Sequence, residues 1–135
     1  MAKFAHDNIK PYHNSKESKR QQVASMFNKI AGHYDFLNHF LSIGIDIQWR
    51  KNAIATLKPI APQEILDVAT GTADLALMTA RRLKPHAITG IDISAGMLEI
   101  GRQKVKKAGL ENSITLLEGD CENLPFADNS FDAIT

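Results

Sequence analysis

The feature that most constrains this fold is a regular alternation of short apolar segments with longer helix-like segments after Pro62. Four apolar segments are expected to form strands, and they cover residues 65–68, 87–93, 114–117 and 131–135. Two helices are expected between them, over residues 73–83 and 95–108. Strands that alternate with helices of this length are typical of βαβ units. The sequence therefore predicts an α/β, Rossmann-like fold built on a parallel sheet.

The first 62 residues have a different pattern, which predicts a helical extension or lid. Apolar residues recur at helical spacing from Val23 to Ile30. We expect Gly32 to interrupt this helix, with two further helices over residues 35–42 and 47–57. The expected organisation is a helical lid over residues 1–62 and a ligand-binding α/β half-domain over residues 63–135.

Composition excludes several classes of protein. The 135 residues, 44% hydrophobic and 23% charged, suit one globular domain. No apolar run approaches the roughly 18–20 residues of a membrane helix, and the N-terminus lacks the apolar stretch of a signal peptide. A single cysteine, Cys121, excludes an intramolecular disulfide framework, so a cytoplasmic location is expected. The net charge of +1 gives no global field that favours nucleic acid.

Charge is nevertheless uneven along the chain. Residues 1–22 hold five basic and two acidic side chains, so this arm is either solvated or makes peripheral contact with anionic lipid. Four histidines occur within the first forty residues, namely His6, His13, His33 and His39. They lack the spacing of a helical ligand pair, so no metal site is expected.

The turn after the first expected strand is the first candidate site. Asp67 lies in the strand end, Gly71 lies in the turn, and a helix is expected to begin near Thr72. A small-residue turn lets the backbone approach a ligand, and a helix N-terminus offers free N–H groups. A second acid, Asp74, follows the turn. Two carboxylates beside the loop favour a cationic ligand such as S-adenosylmethionine over a pyrophosphate.

The ends of the next two strands supply the other candidates. Asp92 lies 21 residues after Gly71, a spacing suited to accepting hydrogen bonds from ribose hydroxyls. Ile93 and Met97 are placed to pack on an adenine ring, although Met97 equally suits the core. Asp120 is expected to accept from the adenine amino group, and the Cys121 amide to donate to a ring nitrogen. Carboxyl ends of parallel strands are where ligands of open α/β sheets bind.

With these motifs the chain resembles the ubiquinone/menaquinone biosynthesis C-methyltransferases of the UbiE/MenG type, which are class I S-adenosylmethionine-dependent methyltransferases. The resemblance runs from about Val23 to Thr135. Its most specific part is the pattern Tyr34-Asp-Phe-Leu-Asn38 followed by Leu41-Ser42 and Trp49-Arg50. The motifs around Gly71, Asp92 and Asp120 are shared by many methyltransferases.

The resemblance implies C-methylation of a demethylated, lipid-soluble quinol of the menaquinone or ubiquinone pathway, with S-adenosylmethionine as cofactor. It places Gly71 and Thr72 at the methionyl end of the cofactor, and Tyr34 and Asn38 where they help to close the pocket. His33 is a candidate general base, because an unperturbed histidine titrates near neutral pH. The chain departs from the family pattern at Thr70 and Ala73, where glycine is frequent, and at three further points: Asp46 replaces a histidine, Leu37 replaces a methionine, and the sheet is incomplete.

Three alternatives stay open at this point. A methyltransferase of the same fold acting on an amine, sterol or phenol differs only in the Tyr34–Asn38 pattern. An NAD-dependent oxidoreductase shares the strand–turn–helix and Asp92, but the glycine fingerprint is incomplete. A non-catalytic binding module is the third.

The apolar segment at 131–135 would leave a bare sheet edge, so we expect either a longer parent protein or a homodimer paired through this strand.

Overall fold

A computed structural model of the chain describes residues 16–135. The helical part comprises α1 (Lys19–Ser42), α2 (Ile45–Leu57) and a 3₁₀ turn (Lys58–Ile60). The α/β part comprises β1 (Glu64–Val68), α3 (Asp74–Leu83), β2 (Ala87–Asp92), α4 (Ala95–Lys107), β3 (Ile114–Glu118) and β4 (Ala133–Ile134). None of the helices in this described part is long and apolar enough to cross a membrane.

The predicted parallel α/β fold is confirmed. All strand pairs are parallel, and the order across the sheet is β3-β2-β1-β4. Ile65, Ile88 and Ile114 lie side by side on the three longer strands. These residues pack in one buried cluster with side chains of α3 and α4, including Leu77 and Leu98. Because the strands are parallel, the carboxyl ends of β1, β2 and β3 lie at one edge of the sheet.

The expected break at Gly32 is wrong, because α1 runs without interruption from Lys19 to Ser42. A glycine inside a helix costs about 1 kcal/mol relative to alanine, which tertiary contacts and good end caps offset. Ser18 and Gln21 form a capping box at the start of α1, and Ile43 closes its end in the left-handed conformation. The segments expected at 23–30 and 35–42 are therefore one helix.

The last strand is shorter than expected, since only Ala133 and Ile134 are paired with β1. Its start is fastened by Asp132, whose Oδ2 accepts hydrogen bonds from the amides of Gln63 and Glu64, each at 2.8 Å. These two amide donors hold the pKa of Asp132 below its ordinary value. The carboxylate thus satisfies two amides at the start of β1, in addition to the backbone hydrogen bond that the Asp132 amide donates to the Glu64 carbonyl at 2.7 Å.

Two helical glycines should respond oppositely to alanine. Gly101 in α4 lies against the sheet, where an added Cβ would meet Leu116 Cδ1 at 2.9 Å and the backbone of Thr72 at 3.2 Å. Gly101→Ala should therefore destabilise the chain by about 1–3 kcal/mol through overpacking. In α1, a Cβ added at Gly32 would meet nothing within 4 Å. Gly32→Ala should therefore stabilise the chain by up to about 1 kcal/mol. Urea unfolding measures both, and equal signs would contradict the packing described.

Candidate functional site

A cavity of about 710 Å³ opens at the edge where β1, β2 and β3 end. Its floor is formed by the turns after these strands, and one wall is formed by α1. Of the residues expected to bind a cofactor or close the pocket, seven line it: Tyr34, Gly71, Asp92, Ile93, Met97, Asp120 and Cys121. The volume lies within the range of about 300–1,000 Å³ that is usual for sites of small molecules and cofactors.

Asp92 ends β2 and connects two turns at the centre of this floor. Its Oδ2 accepts a hydrogen bond from the Gly71 amide at 2.9 Å, and its Oδ1 accepts one from the Ser94 amide at 2.9 Å. A carboxylate has about four acceptor positions, so two positions are left for ligand hydroxyls. Ser94 in turn caps α4, because its hydroxyl accepts from the Met97 amide.

On the side of β3, Asp92 is flanked by one apolar surface and one polar surface. Ile93 and Met97 line the cavity from the start of α4. Asp120 and Cys121 line it from the turn after β3. Asp120 shapes this turn itself, since its Oδ1 accepts from the Glu122 amide at 3.0 Å. The cavity thus has apolar side chains after β2 and hydrogen-bonding groups after β3, with Met97 only 2% exposed.

The sequence analysis expected a helical lid that carries Tyr34, but it missed Val23 and Phe27 as parts of the α1 wall. Val23, Phe27 and Tyr34 line the cavity, and Phe27 and Tyr34 make an edge-to-face contact with ring centroids 6.3 Å apart. Spacings of four and seven residues place all three side chains on one face of a continuous helix. The expected break at Gly32 concealed this register, although the spacing itself was present in the sequence.

Polar contacts hold α1 over the floor. Asn28 Oδ1 accepts hydrogen bonds from the Ser94 hydroxyl at 2.6 Å and from the Gly96 amide at 2.9 Å. Gly96 permits this approach, because a Cβ there would lie 3.0 Å from Asn28 Oδ1. At the mouth of the cavity, Arg20 Nε lies 3.4 Å from Asp120 Oδ2 in an ion pair whose arginine is largely exposed.

Four of the candidate residues are not part of the cavity lining. Thr72 is buried, and its hydroxyl donates to Asp35 Oδ1 at 2.5 Å. Asn38 is half-buried and lies one helical turn beyond Tyr34, and the candidate base His33 is exposed. Asp67 is buried below the floor, where it accepts hydrogen bonds from the hydroxyls of Thr70 at 2.6 Å and Thr135 at 2.9 Å.

The surroundings of Asp67 oppose its ionisation. Burial raises the pKa of this carboxyl above its ordinary value, and the negative charge of Asp92 adds to the effect. The hydroxyls of Thr70 and Thr135 offset part of it by hydrogen bonding to the carboxylate. Asp67 thus contacts Thr70, next to the Gly71 turn, without lining the cavity itself.

Thr70 and Ala73, which occupy positions where glycine is frequent in the family pattern, do not narrow the cavity. The Thr70 side chain is directed to Asp67, and Ala73 packs in the core cluster. Neither residue is part of the cavity lining. Ala69 and Ala73 both adopt left-handed backbone conformations, with φ of 56° and 66°. The turn thus keeps a conformation that favours glycine while it carries small side chains at these points.

Asp46, a further departure, lies at the start of α2 and is the centre of a polar cluster outside the cavity lining. The Ser42 hydroxyl donates to its Oδ1 at 2.8 Å, and its Oδ2 lies 2.8 Å from His39 Nδ1 and 3.0 Å from Arg50 Nη1. Burial raises the pKa of Asp46, but the Ser42 hydrogen bond and the charges of Arg50 and His39 outweigh it and hold the pKa below its ordinary value. Two of the four early histidines, His6 and His13, lie outside the described residues.

Residues 14–135 match the sequence profile of the ubiE/COQ5 methyltransferase family. Similar proteins include a demethylmenaquinone methyltransferase of Bacteroides fragilis, 52% identical over 98% of this chain and 54% of the relative. Another of the same name, from Porphyromonas gingivalis, is 50% identical over 96% of this chain and 53% of the relative. The chain thus spans about half the length of the curated relatives that it matches.

Solved structures share the fold. A protein of Methanococcus maripaludis, provisionally described as an S-adenosyl-L-methionine-dependent methyltransferase, superposes with a TM-score of 0.67. It is 25% identical and covers 91% of this chain and 52% of its own. The YcgJ protein of Bacillus subtilis gives a TM-score of 0.57 at 29% identity, over 63% of this chain and 35% of its own.

Two of the polar contacts between α1 and the floor, those of Asn28 and Arg20, should differ in strength. Asn28→Ala removes an acceptor from the Ser94 hydroxyl and the Gly96 amide and should cost about 1–2 kcal/mol of unfolding free energy. Arg20→Ala removes only an exposed ion pair and should change stability by less than about 0.5 kcal/mol. Denaturant unfolding compares the two variants. A larger loss for Arg20→Ala would show that α1 is held at the mouth instead.

Proposed function

The chain belongs to the ubiE/COQ5 methyltransferase family, and we propose that it binds S-adenosyl-L-methionine for the C-methylation of a demethylated quinol. The observation that carries this proposal is the position of Asp92. Its carboxylate lies in the centre of the cavity, held by two backbone amides and with acceptor positions left for a vicinal diol. The ribose of the cofactor presents such a diol.

The order of the strands supports one orientation of the cofactor. Adenine would lie between Ile93 and Met97, beside Asp120 and Cys121 at the end of β3. The ribose would lie at Asp92 on β2, and the methionyl part would extend over Gly71 at the end of β1. The three strands are adjacent in the sheet in this same order. The cavity of about 710 Å³ is large enough for the whole cofactor.

When bound, the cofactor supplies an electrophilic methyl group on a sulfonium. The residues of this chain would contribute binding, orientation and exclusion of water. Val23, Phe27 and Tyr34 cover the cavity from the α1 side and limit access of solvent. Holding the acceptor carbon in line with the methyl group is a substantial contribution, since orientation alone lowers barriers by about 7–11 kcal/mol in favourable cases.

The surface next to the methionyl end supports a lipid-soluble substrate. Exposed large apolar side chains are concentrated in the hairpin between α1 and α2: Phe36, Leu37, Phe40, Leu41, Ile43, Ile45, Ile47 and Trp49. Phe36 and Phe40 stack with centroids 5.9 Å apart. This apolar hairpin begins two residues after the cavity residue Tyr34. It suits the isoprenoid tail of a quinol and peripheral contact with a membrane that stores the quinol.

Cofactor binding is tested first by calorimetric titration of the chain with S-adenosyl-L-methionine. Asp92→Ala should weaken binding by more than about tenfold, because it removes the diol acceptor and frees the amides of Gly71 and Ser94. Asp128→Ala, an exposed carboxylate in the loop after β3, is the matched control and should bind as the wild type does. Equal affinity of the Asp92 variant would contradict the proposed ribose site.

Substrate choice is tested by transfer of labelled methyl groups. The proposal expects incorporation into demethylmenaquinol, with a panel of amines and phenols giving none. Methylation of a panel member instead would support a methyltransferase of the same fold with another substrate. His33→Ala belongs in this assay, since an unchanged kcat would exclude His33 as the general base.

A further inference from the structure

Polar side chains from three helices meet around Thr72, which lies in the turn after β1 and is not part of the cavity lining. The Thr72 hydroxyl donates to Asp35 Oδ1 of α1 at 2.5 Å and accepts from Lys104 Nζ of α4 at 3.1 Å. Lys104 Nζ also donates to Asp74 Oδ1 of α3 at 2.7 Å and forms an ion pair with Asp35. We refer to Asp35, Thr72, Asp74 and Lys104 as the Lys104 cluster.

The Lys104 cluster is well matched in charge and hydrogen bonding. An ammonium group has three donors, and Lys104 has one acceptor for each in Asp35, Thr72 and Asp74. Two carboxylates share this single ammonium, and Arg50 of α2 lies 3.5 Å from Asp74 as a second cation. The four charged side chains are only 18–29% exposed. Such pairs are less screened by salt than pairs on the open surface.

Two members of the cluster are neighbours of cavity residues in the chain. Asp35 follows Tyr34, which belongs to the α1 wall, and Thr72 follows Gly71, which belongs to the floor. The Thr72–Asp35 hydrogen bond therefore fastens α1 to the turn after β1, outside the cavity lining. The contacts of Asn28 and Arg20 fasten α1 nearer to β2 and β3.

We propose that Asp35 and Lys104 are positioning residues, which act through the Thr72 hydroxyl to hold the α1 wall against the Gly71 turn. This inference rests on the proposed function, because that proposal places the methionyl part of the cofactor over Gly71. Loss of the cluster should then affect the methionyl end selectively. The adenosine end keeps Asp92, Met97 and Asp120, together with the separate fastening by Asn28.

The test compares two ligands that share the adenosine part. S-adenosylhomocysteine carries the amino-acid arm, whereas 5′-methylthioadenosine lacks it. Asp35→Ala and Lys104→Met should each weaken the binding of S-adenosylhomocysteine about tenfold, a size typical of coupling between linked sites. The affinity for 5′-methylthioadenosine should stay within about twofold of the wild type. The double variant should lose little more than either single variant, since both remove one unit. Lys107→Met, an exposed lysine on the same helix, is the control and should bind both ligands normally.

Equal weakening of both ligands, or of neither, would overturn the positioning role. If Asp35→Ala does not fold, Asp35→Asn takes its place and should show the same selective loss to a smaller degree, because asparagine keeps the acceptor for Thr72 but loses the charge that pairs with Lys104. Amide hydrogen exchange of residues 70–74 in the ligand-free chain separates the two proposals. If the wild type binds neither ligand, the proposed function is contradicted. Faster exchange in the Asp35 variant than in the wild type would still support the fastening of α1 to the Gly71 turn. Unchanged exchange would overturn the fastening whatever the ligands do.

Discussion

The site depends on one carboxylate that joins two turns. Asp92 accepts the amide of Gly71 from the turn after β1 and the amide of Ser94 from its own turn before α4. The parallel sheet makes this possible, because it brings the ends of β1 and β2 into register at one edge. The same carboxylate is then held at the centre of the cavity with acceptor capacity left over. Under the proposed function, fold and binding chemistry are joined at this residue.

The second requirement is a wall, and α1 provides it as one unbroken helix. Val23, Phe27 and Tyr34 share a face only because the register continues through Gly32. The helix is fastened along its length, by Arg20 near β3, by Asn28 at the start of α4 and by Asp35 near β1. The sheet edge and the fastened helix already form the cavity. A ligand that enters it would therefore need to order little further backbone.

The alternation of strands and helices predicted the parallel sheet and most of the floor, because ligand sites of such sheets follow from strand ends. Gly32 misled the analysis of α1, since glycine is a weak local signal that tertiary contacts and the Ser18–Gln21 cap override. The direction of the Thr72 side chain was beyond sequence reasoning. It depends on Asp35 and Lys104, which are 37 and 32 residues away in the chain. Spacing along one element predicts a face, but it does not show which distant residues meet it.

The most direct measurement is amide hydrogen exchange of the chain, residue by residue, with and without S-adenosylhomocysteine. Added ligand should slow exchange at Gly71, at Asp92–Ser94 and at Asp120–Cys121, and along the face of α1 that carries Val23, Phe27 and Tyr34. Protection at all four places would show that one ligand contacts the floor and the wall together. Protection confined to other residues, or absent at saturating ligand, would contradict the account that this edge of the sheet is the binding site.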